Sequence, residues 1–353
     1  MTVPLQRIKQ NVSGRWGSKV GRMVSLLQKT PRGYKNYLLN TFSERLHLGR
    51  SLGKPVSITI EPTNICNLQC PVCETGAGVL ERKPQMMSYG NFVKIMDKVG
   101  PGANHLMFYY MGEPFLNKDA YRMIRYARDM GLYVMTCTNG DYVNPEALYD
   151  SDINHISFQI GGMKQETHQV YRRNSHLSRV LQNLKTYLRI IQDRAKTIGE
   201  HDVELGLIVM KQNEDEIGNF LRLGQELGIR TTLISPCVRT PEQGREFLPE
   251  DKTYWLYDQE YFEKHNQLAI KRVLPWNRCP WLYYAITIQS DGNVVPCCRD
   301  PHGKHIMGNL LSEPLEKVWN GPKFKKFRYL FSKRQGPFSF CSLCPGEGAP
   351  GLK

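Results

Sequence analysis

From about residue 55 the chain alternates short apolar runs with longer stretches in which apolar positions recur every three or four residues. Val56–Glu61, His105–Met111, Tyr133–Cys137, His155–Ile160, Val203–Met210 and Thr231–Ser235 read as strands. Tyr89–Val99, Tyr121–Met130, Asn144–Tyr149, Leu177–Lys196 and Asp215–Leu227 read as the helices between them. Six such units over about 180 residues predict an α/β fold with a parallel sheet and helical crossovers, either an incomplete barrel or an open sheet. A helical connector is expected between about 250 and 270. The texture then changes to Pro, Gly, Trp and Cys, and Ile286–Val295 reads as a hairpin through an Asp291-Gly292 turn. The pattern divides the chain into an N-terminal extension (1–54), an α/β core (55–245), a connector (246–274) and a small C-terminal domain (275–353).

The extension has its own pattern. Val20, Met23, Val24 and Leu27 fall at i, i+3, i+4 and i+7, and Tyr34, Tyr37, Leu38 and Leu46 continue the apolar theme among Arg and Lys. Amphipathic helices are expected there, with their apolar stripes packed on the body. A second reading is contact with an anionic membrane surface, a phosphorylated substrate or an acidic partner.

Charge sharpens this picture. Residues 1–54 hold eleven Lys and Arg against one acid, Glu44, which is +10 of the chain's net +14. A basic arm on a near-neutral body follows, and a nucleic-acid partner is not expected. With 41% hydrophobic and 23% charged residues in 353, disorder throughout is excluded. The longest apolar runs, Leu106–Met111 and Trp281–Ile286, are strand-length, and the start lacks an apolar leader. The expectation is a cytoplasmic protein, touching a membrane only through its arm.

Ten cysteines in such a chain point to metal rather than disulfides. Cys66-x3-Cys70-x2-Cys73 directly follows the first strand. Three thiolates from one loop can hold three corners of a [4Fe–4S] cubane and leave the fourth iron open to a small molecule. A structural zinc would require a fourth protein ligand. Cys279, Cys297, Cys341 and Cys344 form a second set, enough for a closed [4Fe–4S] cluster, although separated Cys groups ending in Cys-x2-Cys also make zinc sites. Cys298 is an alternative ligand, a bystander or a hydrogen-atom donor. Cys137 and Cys237 read by default as small buried hydrophobes near strand ends, with Cys237 a second donor candidate.

The first cysteine loop and its place after a strand resemble the radical S-adenosylmethionine (radical SAM) superfamily. Other segments agree in order. Met111-Gly112-Glu113-Pro114 matches a Gly-Gly-Glu-Pro motif whose Gly112, Glu113 and Pro114 would contact the methionine amino group, with Met111 departing from the pattern. Thr138-Asn139-Gly140 ends the third strand. Ser157-Phe158-Gln159 stands where relatives show Ser-x-Asp-Gly, so Ser157 and Gln159 would lie at the ribose. Arg172 corresponds to an Arg near the SAM carboxylate, and Val209, Met210 and Asn213 to the adenine region. The segments Asp291–Cys298, Ile306–Leu310 and Leu315–Trp319 resemble the SPASM/twitch auxiliary-cluster domain, in the one-cluster twitch form. The pattern is similar to that of 2-deoxy-scyllo-inosamine dehydrogenase.

The resemblance implies a partial (β/α)6 TIM-like barrel followed by a small twitch domain of hairpin and helix. It implies SAM, a SAM-binding [4Fe–4S] cluster, an auxiliary [4Fe–4S] cluster and an electron donor of flavodoxin or ferredoxin type. The family's chemistry is reductive cleavage of SAM to a 5′-deoxyadenosyl radical that abstracts hydrogen from an unactivated C–H. Oxidation of a carbinol in a sugar or aminocyclitol, with the auxiliary cluster as electron acceptor, is the leading expectation. Redox-neutral epimerisation, modification of a peptide or protein, and a non-catalytic iron–sulfur scaffold are the alternatives. Tyr109, Tyr110, Arg239, Tyr283 and Arg299 are candidate pocket residues.

Overall fold

The computed structural model describes residues 31–194, 201–270, 275, 277–333 and 339–344. The stripe Val20, Met23, Val24 and Leu27 lies outside the described residues. In chain order the elements are α1 (Pro31–Arg45), β1 (Ser57–Ile60), α2 (Tyr89–Val99), β2 (His105–Met107), α3 (Ala120–Asp129), β3 (Tyr133–Thr138), α4 (Pro145–Asp150), β4 (His155–Ile160), α5 (Gln165–Tyr171), α6 (Leu177–Asp193), β5 (Asp202–Ile208), α7 (Ile217–Glu226), β6 (Arg230–Ile234), α8 (Pro241–Phe247), α9 (Gln259–His265), α10 (Trp281–Tyr284), β7 (Ala285–Ile288), β8 (Asn293–Val295), β9 (Gly308–Asn309), α11 (Leu315–Trp319) and α12 (Pro322–Ser332). The expected alternation of parallel strands and helices is present. No helix among the described residues is long and apolar enough to cross a membrane.

The chain forms two compact units. The first holds the described residues of Cys66–Val79 and Thr136–Lys271; the second holds those of Arg22–Ile65, Leu80–Met135 and Arg272–Lys353. In the second unit β1 is buried along its whole length and pairs in parallel with β2 on one side and β7 on the other, Ser57 standing opposite both His105 and Ala285. The strand is covered on both faces although Ser57-Ile58-Thr59-Ile60 alternates hydroxyl and apolar side chains, so Ser57 and Thr59 are buried with Ile58 and Ile60. The hairpin β7–β8 forms as expected, closed by Gly292 at φ 82°, and β9 adds an antiparallel strand. The parallel pairing of β7 with β1 was invisible in the hydrophobic pattern. Helix α2 begins at Ser88, whose hydroxyl accepts the Asn91 N–H, and buries Phe92, Ile95, Met96 and Val99.

In the first unit β4, β5 and β6 run parallel, with Ser157 opposite Glu204, Gln159 opposite Gly206 and Glu204 opposite Arg230. Helix α6 buries Leu177, Val180, Leu184, Leu188 and Ile191 on one stripe.

Two expectations are corrected. Strand β2 stops at Met107 rather than Met111, because the chain then turns through Gly112 at φ 76° to lie against residues 63–65. Of the apolar stripe of helix α1 only Tyr37 packs inward, its ring 5.3 Å from that of Tyr284. Gly33, Asn40, Ser43 and Glu44 are buried, whereas Tyr34, Leu38, Phe42 and Leu46 are exposed.

Candidate functional site

In the first unit the cysteine loop is fixed by side chains from the end of β3, themselves held by the start of α6. The Asn139 amide donates to Asn67 Oδ1 at 2.9 Å and to Cys66 Sγ at 3.9 Å, and the Leu68 N–H donates to the same sulfur at 3.4 Å. N–H donors aimed at a sulfur favour its thiolate. Asn67 in turn donates to Asp141, whose buried carboxylate is held by Arg179 at 3.0 Å and by the His176 N–H. The loop closes tightly on Cys70. A Cβ on Gly76 would stand 2.5 Å from the Cys70 nitrogen and 2.7 Å from its oxygen, so glycine is required there by contact alone. Arg239, three residues after the β6-proximal Pro236, reaches Glu74 in the loop at 2.6 Å.

Cys70 is buried, and burial is the first cause that pushes its thiol up; Arg172 opposes it and Cys73 adds to it. Arg172 sits at the end of α5, its stem against Gly161, where a Cβ would come within 2.9 Å of the Arg172 side chain. Its Nε is buried without a partner. A buried orphaned guanidinium donor is suited to an anion. His168, one turn earlier, accepts the Gly161 N–H at its Nδ1, and burial followed by the Arg172 charge lowers its pKa to about 4. Tyr171 is likewise raised by burial first, then by Cys70, with Cys73 and Cys237 contributing.

Ser157 and Gln159 face β5 in a polar row. Gln159 donates to Ser157 Oγ at 2.7 Å, Ser157 donates to Glu204 at 2.9 Å, and Glu204 pairs with Arg230 at 2.9 Å. Gln159 lies over Gly206, where a Cβ would meet its amide nitrogen at 2.4 Å. Glu204 was missed from sequence. Its only signal was the alternation of Asp202, Glu204 and Gly206 with Val203, Leu205 and Leu207 along β5. Val209 and Met210 are buried, and Asn213 ties the strand ends by donating to Gly161 O and Ile208 O. Thr138 accepts the Gly140 N–H. Cys137 lies within β3, half-buried. Cys237 follows β6 and is exposed, which corrects its default reading as a buried hydrophobe.

In the second unit Gly112 approaches the backbone just ahead of Cys66. A Cβ there would lie 2.5 Å from Thr63 O and 2.6 Å from Ile65 O, and the Glu113 N–H donates to Ile65 O at 2.9 Å. Glu113 is buried and its carboxylate accepts the Phe115 N–H ahead of the turn that Pro114 opens. Gly112 and Glu113 therefore clamp the segment between β1 and the cysteine loop.

The second cysteine set gathers in this unit. Burial pushes Cys279 up to about 12, with Cys344 and Cys341 adding to it. Burial also raises Cys297 well above the usual thiol range, followed by Cys298, Cys279 and Cys341. Cys297 Sγ accepts the Arg299 N–H at 3.4 Å. Thiols that raise one another in a desolvated pocket become thiolates only beside a compensating cation. Met107, Trp281 and Ala285 form the apolar wall against Cys279, Cys297 and Cys298. The loop after Cys298 is closed by Asp300, which accepts the Lys304 and His305 N–H groups. Tyr110 points its hydroxyl into the same surroundings. Burial, then Cys298 and Cys297, then Glu61 and Asp300, push it well above the usual phenol range. Glu61 is fully buried in a bidentate pair with Arg82, which also donates to Pro301 O. Tyr283 is a framework residue, buried with its hydroxyl on Leu48 O.

Among the described residues no three His, Cys, Asp or Glu side chains converge on one metal ion. A cubane does not ask for that convergence, because each thiolate binds a different iron. Comparison with known proteins bears on the choice. The model of the Radical SAM superfamily matches residues 60–224, and that of the SPASM iron-sulfur cluster-binding domain matches residues 279–345. The chain carries a radical SAM domain and a SPASM domain. The radical SAM match contains Cys66, Cys70 and Cys73, and the SPASM match contains the second set.

These two domains imply a SAM-binding [4Fe–4S] cluster and auxiliary iron–sulfur ligation. The residues present fit: the Cys66 sulfur accepts N–H donors, Arg172 offers an unpartnered buried nitrogen, and the thiols of the SPASM segment cluster against an apolar wall. The chain is 25% identical to the mycofactocin maturase MftC of Mycolicibacterium smegmatis over 76% of its length and 71% of the relative's. It is 25% identical to the AdoMet-dependent heme synthase of Methanosarcina barkeri over 78% of its length and 85% of the relative's. Among solved structures, SuiB of Streptococcus suis bound to the precursor peptide SuiA shares the fold with a TM-score of 0.58 at 13% identity, covering 83% of this chain and 71% of that one.

Proposed function

We propose that this radical SAM enzyme abstracts hydrogen from a peptide or protein substrate. The observation that carries the reading is the pairing of a radical SAM domain with a SPASM domain in a chain similar to a mycofactocin maturase and sharing its fold with a protein that holds a precursor peptide. The sugar or aminocyclitol oxidation expected from sequence becomes the second reading. The likeness to a heme synthase and the compact four-cysteine C-terminal set favour keeping a small-molecule substrate in play.

In either reading the roles of the side chains are the same. Cys66, Cys70 and Cys73 would hold the SAM-binding cluster; Cys279, Cys297, Cys341 and Cys344 would hold the auxiliary one. With an electron from a flavodoxin or ferredoxin, the bound cluster and SAM would supply the radical that takes a hydrogen atom from the substrate. In the first unit Arg172 would receive the SAM carboxylate, Ser157 and Gln159, held by Glu204, would orient the ribose, Thr138 and Asn139 set the β3 end, and Val209 and Met210 would line the adenine. In the second unit Gly112, Glu113 and Pro114 shape the backbone just ahead of the cysteine loop. The apolar wall of Met107 and Trp281 keeps water from the auxiliary thiols.

The test offers the anaerobically prepared holoenzyme, with SAM and reductant, two fractions of an extract from cells grown in deuterated medium. Deuterium should enter 5′-deoxyadenosine from the peptide fraction. Label arriving only from the low-molecular-weight fraction transfers the assignment to the second reading, and no 5′-deoxyadenosine at all would leave an iron–sulfur scaffold.

A further inference from the structure

Helix α1 is built inside out. Its buried side is polar: Asn36 donates to Gly102 O at 3.1 Å, Asn40 donates to Lys54 O at 2.8 Å and accepts the Ser51 hydroxyl at 2.6 Å, and Ser43 accepts the Leu52 N–H at 2.9 Å. Glu44 is buried against Arg278 at 3.2 Å. Gly33 faces Asn104, where a Cβ would come within 2.0 Å of the amide (1.9 Å from its Oδ1). Turning the helix to hide its apolar residues would break all of these bonds and strand the polar groups. Its orientation is therefore fixed.

The opposite side carries Tyr34, Leu38, Phe42 and Leu46, each four residues from the last and between 44% and 55% exposed. Residues at i and i+4 form one continuous ridge on a helix. Large exposed apolar side chains are unremarkable singly, but a ridge of three on one helix, continued by Leu46 in the turn that follows it, marks a contact surface. Lys35, Arg45 and Arg50 are exposed beside it. The turn after the helix meets α12, where Lys325 O would stand 3.6 Å from a Cβ on Gly49; Lys325, Lys326 and Tyr329 are exposed there.

We propose that this ridge docks on an anionic lipid surface. The charge selects the occupant. Of the first 54 residues only Glu44 is acidic, and it is turned inward onto Arg278, so among the described residues every exposed side chain between 33 and 54 is apolar or positive. A second copy would bring the same positive charge and be repelled. A bilayer with acidic headgroups takes the Leu and Phe side chains into its interface, seats the tyrosine at headgroup level and meets the lysines and arginines with phosphate. The surface lies wholly in the second unit and makes no claim on the substrate, so it stands or falls apart from the proposed activity.

The test is flotation of the full-length holoenzyme with vesicles of phosphatidylcholine alone or of phosphatidylcholine mixed equally with phosphatidylglycerol. Binding to the mixed vesicles, and its release by salt, is expected. Leu38→Ser/Phe42→Ser should weaken partitioning at least about tenfold while leaving circular dichroism and iron content unchanged. Lys35→Glu/Arg45→Glu should weaken it by roughly the same factor, which keeps the test decisive if the first variant is poorly soluble. Equal binding to phosphatidylcholine alone, full binding by both variants, or no flotation with a concentration-dependent dimer abolished by Leu38→Ser/Phe42→Ser would each overturn the proposal.

Discussion

Arg239 holds Glu74 at 2.6 Å, tying the segment after β6 to the loop that carries Cys66, Cys70 and Cys73. Both side chains are only partly shielded, so the pair itself contributes on the order of 1 kcal/mol or less. Its consequence is positional, because Glu74 immediately follows the third cysteine. Arg239→Ala should leave the melting temperature within a few degrees yet release iron from the loop measurably faster under a chelator. The exchange Arg239→Glu/Glu74→Arg should restore the wild-type rate. An unchanged release rate in Arg239→Ala would show that the loop is held without the pair.

Cys297 and Cys298 are neighbours with different surroundings. Cys297 takes the Arg299 N–H at its sulfur and is raised by burial first, then by Cys298, Cys279 and Cys341, whereas Cys298 precedes Cys297 among the thiols acting on Tyr110. Cys297→Ala should therefore lose about one cluster's worth of iron and sulfide per chain, and Cys298→Ala should keep both. Iron analysis of the two purified proteins decides it; the reverse result would make Cys298 the ligand.

How far these features could be read from sequence depends on whether the cause was local. Helix α2 was legible to the residue because Ser88 caps it and Phe92, Ile95, Met96 and Val99 form one stripe. The spacing of Cys66, Cys70 and Cys73 within one loop is itself a chemical signal, and the family models match the segments that contain both cysteine sets. The causes that escaped were tertiary. Strand β2 ends early because Gly112 must reach residues 63–65, nearly fifty positions away. The inverted packing of α1 depends on carbonyls at Lys54 and Gly102 and on Arg278, which no helical periodicity contains. Glu204 carries no signal beyond the alternation of its strand, and only its register opposite Ser157 makes it the anchor of a polar row.

That row makes a further prediction. The Gln159 amide occupies the space that a side chain at residue 206 would need, 2.4 Å from a Cβ there. The clash is with the far end of a flexible side chain, so Gly206→Ala should fold but displace Gln159 from Ser157. With Gln159 at the ribose, SAM should bind the anaerobic holoenzyme at least about tenfold more weakly, corresponding to the loss of roughly one or two hydrogen bonds. Calorimetric titration with SAM reads this directly. Unaltered affinity would remove Gln159 from the binding site.

The last prediction concerns acid. His168 is fully buried, and burial followed by the Arg172 charge lowers its pKa from 6.5 to about 4. In the unfolded chain the imidazole takes up a proton below 6.5; in the folded chain it resists until about 4. The stability contributed by the neutral ring is thus complete above the unfolded value and drains away as pH falls towards 4, by about 3 kcal/mol in all. His168→Asn keeps an acceptor for the Gly161 N–H but cannot titrate. Comparing denaturant midpoints of the two proteins across this window isolates the effect. The wild type should lose stability relative to His168→Asn between pH 6.5 and 4, and parallel curves would mean that the ring is already protonated in the folded state.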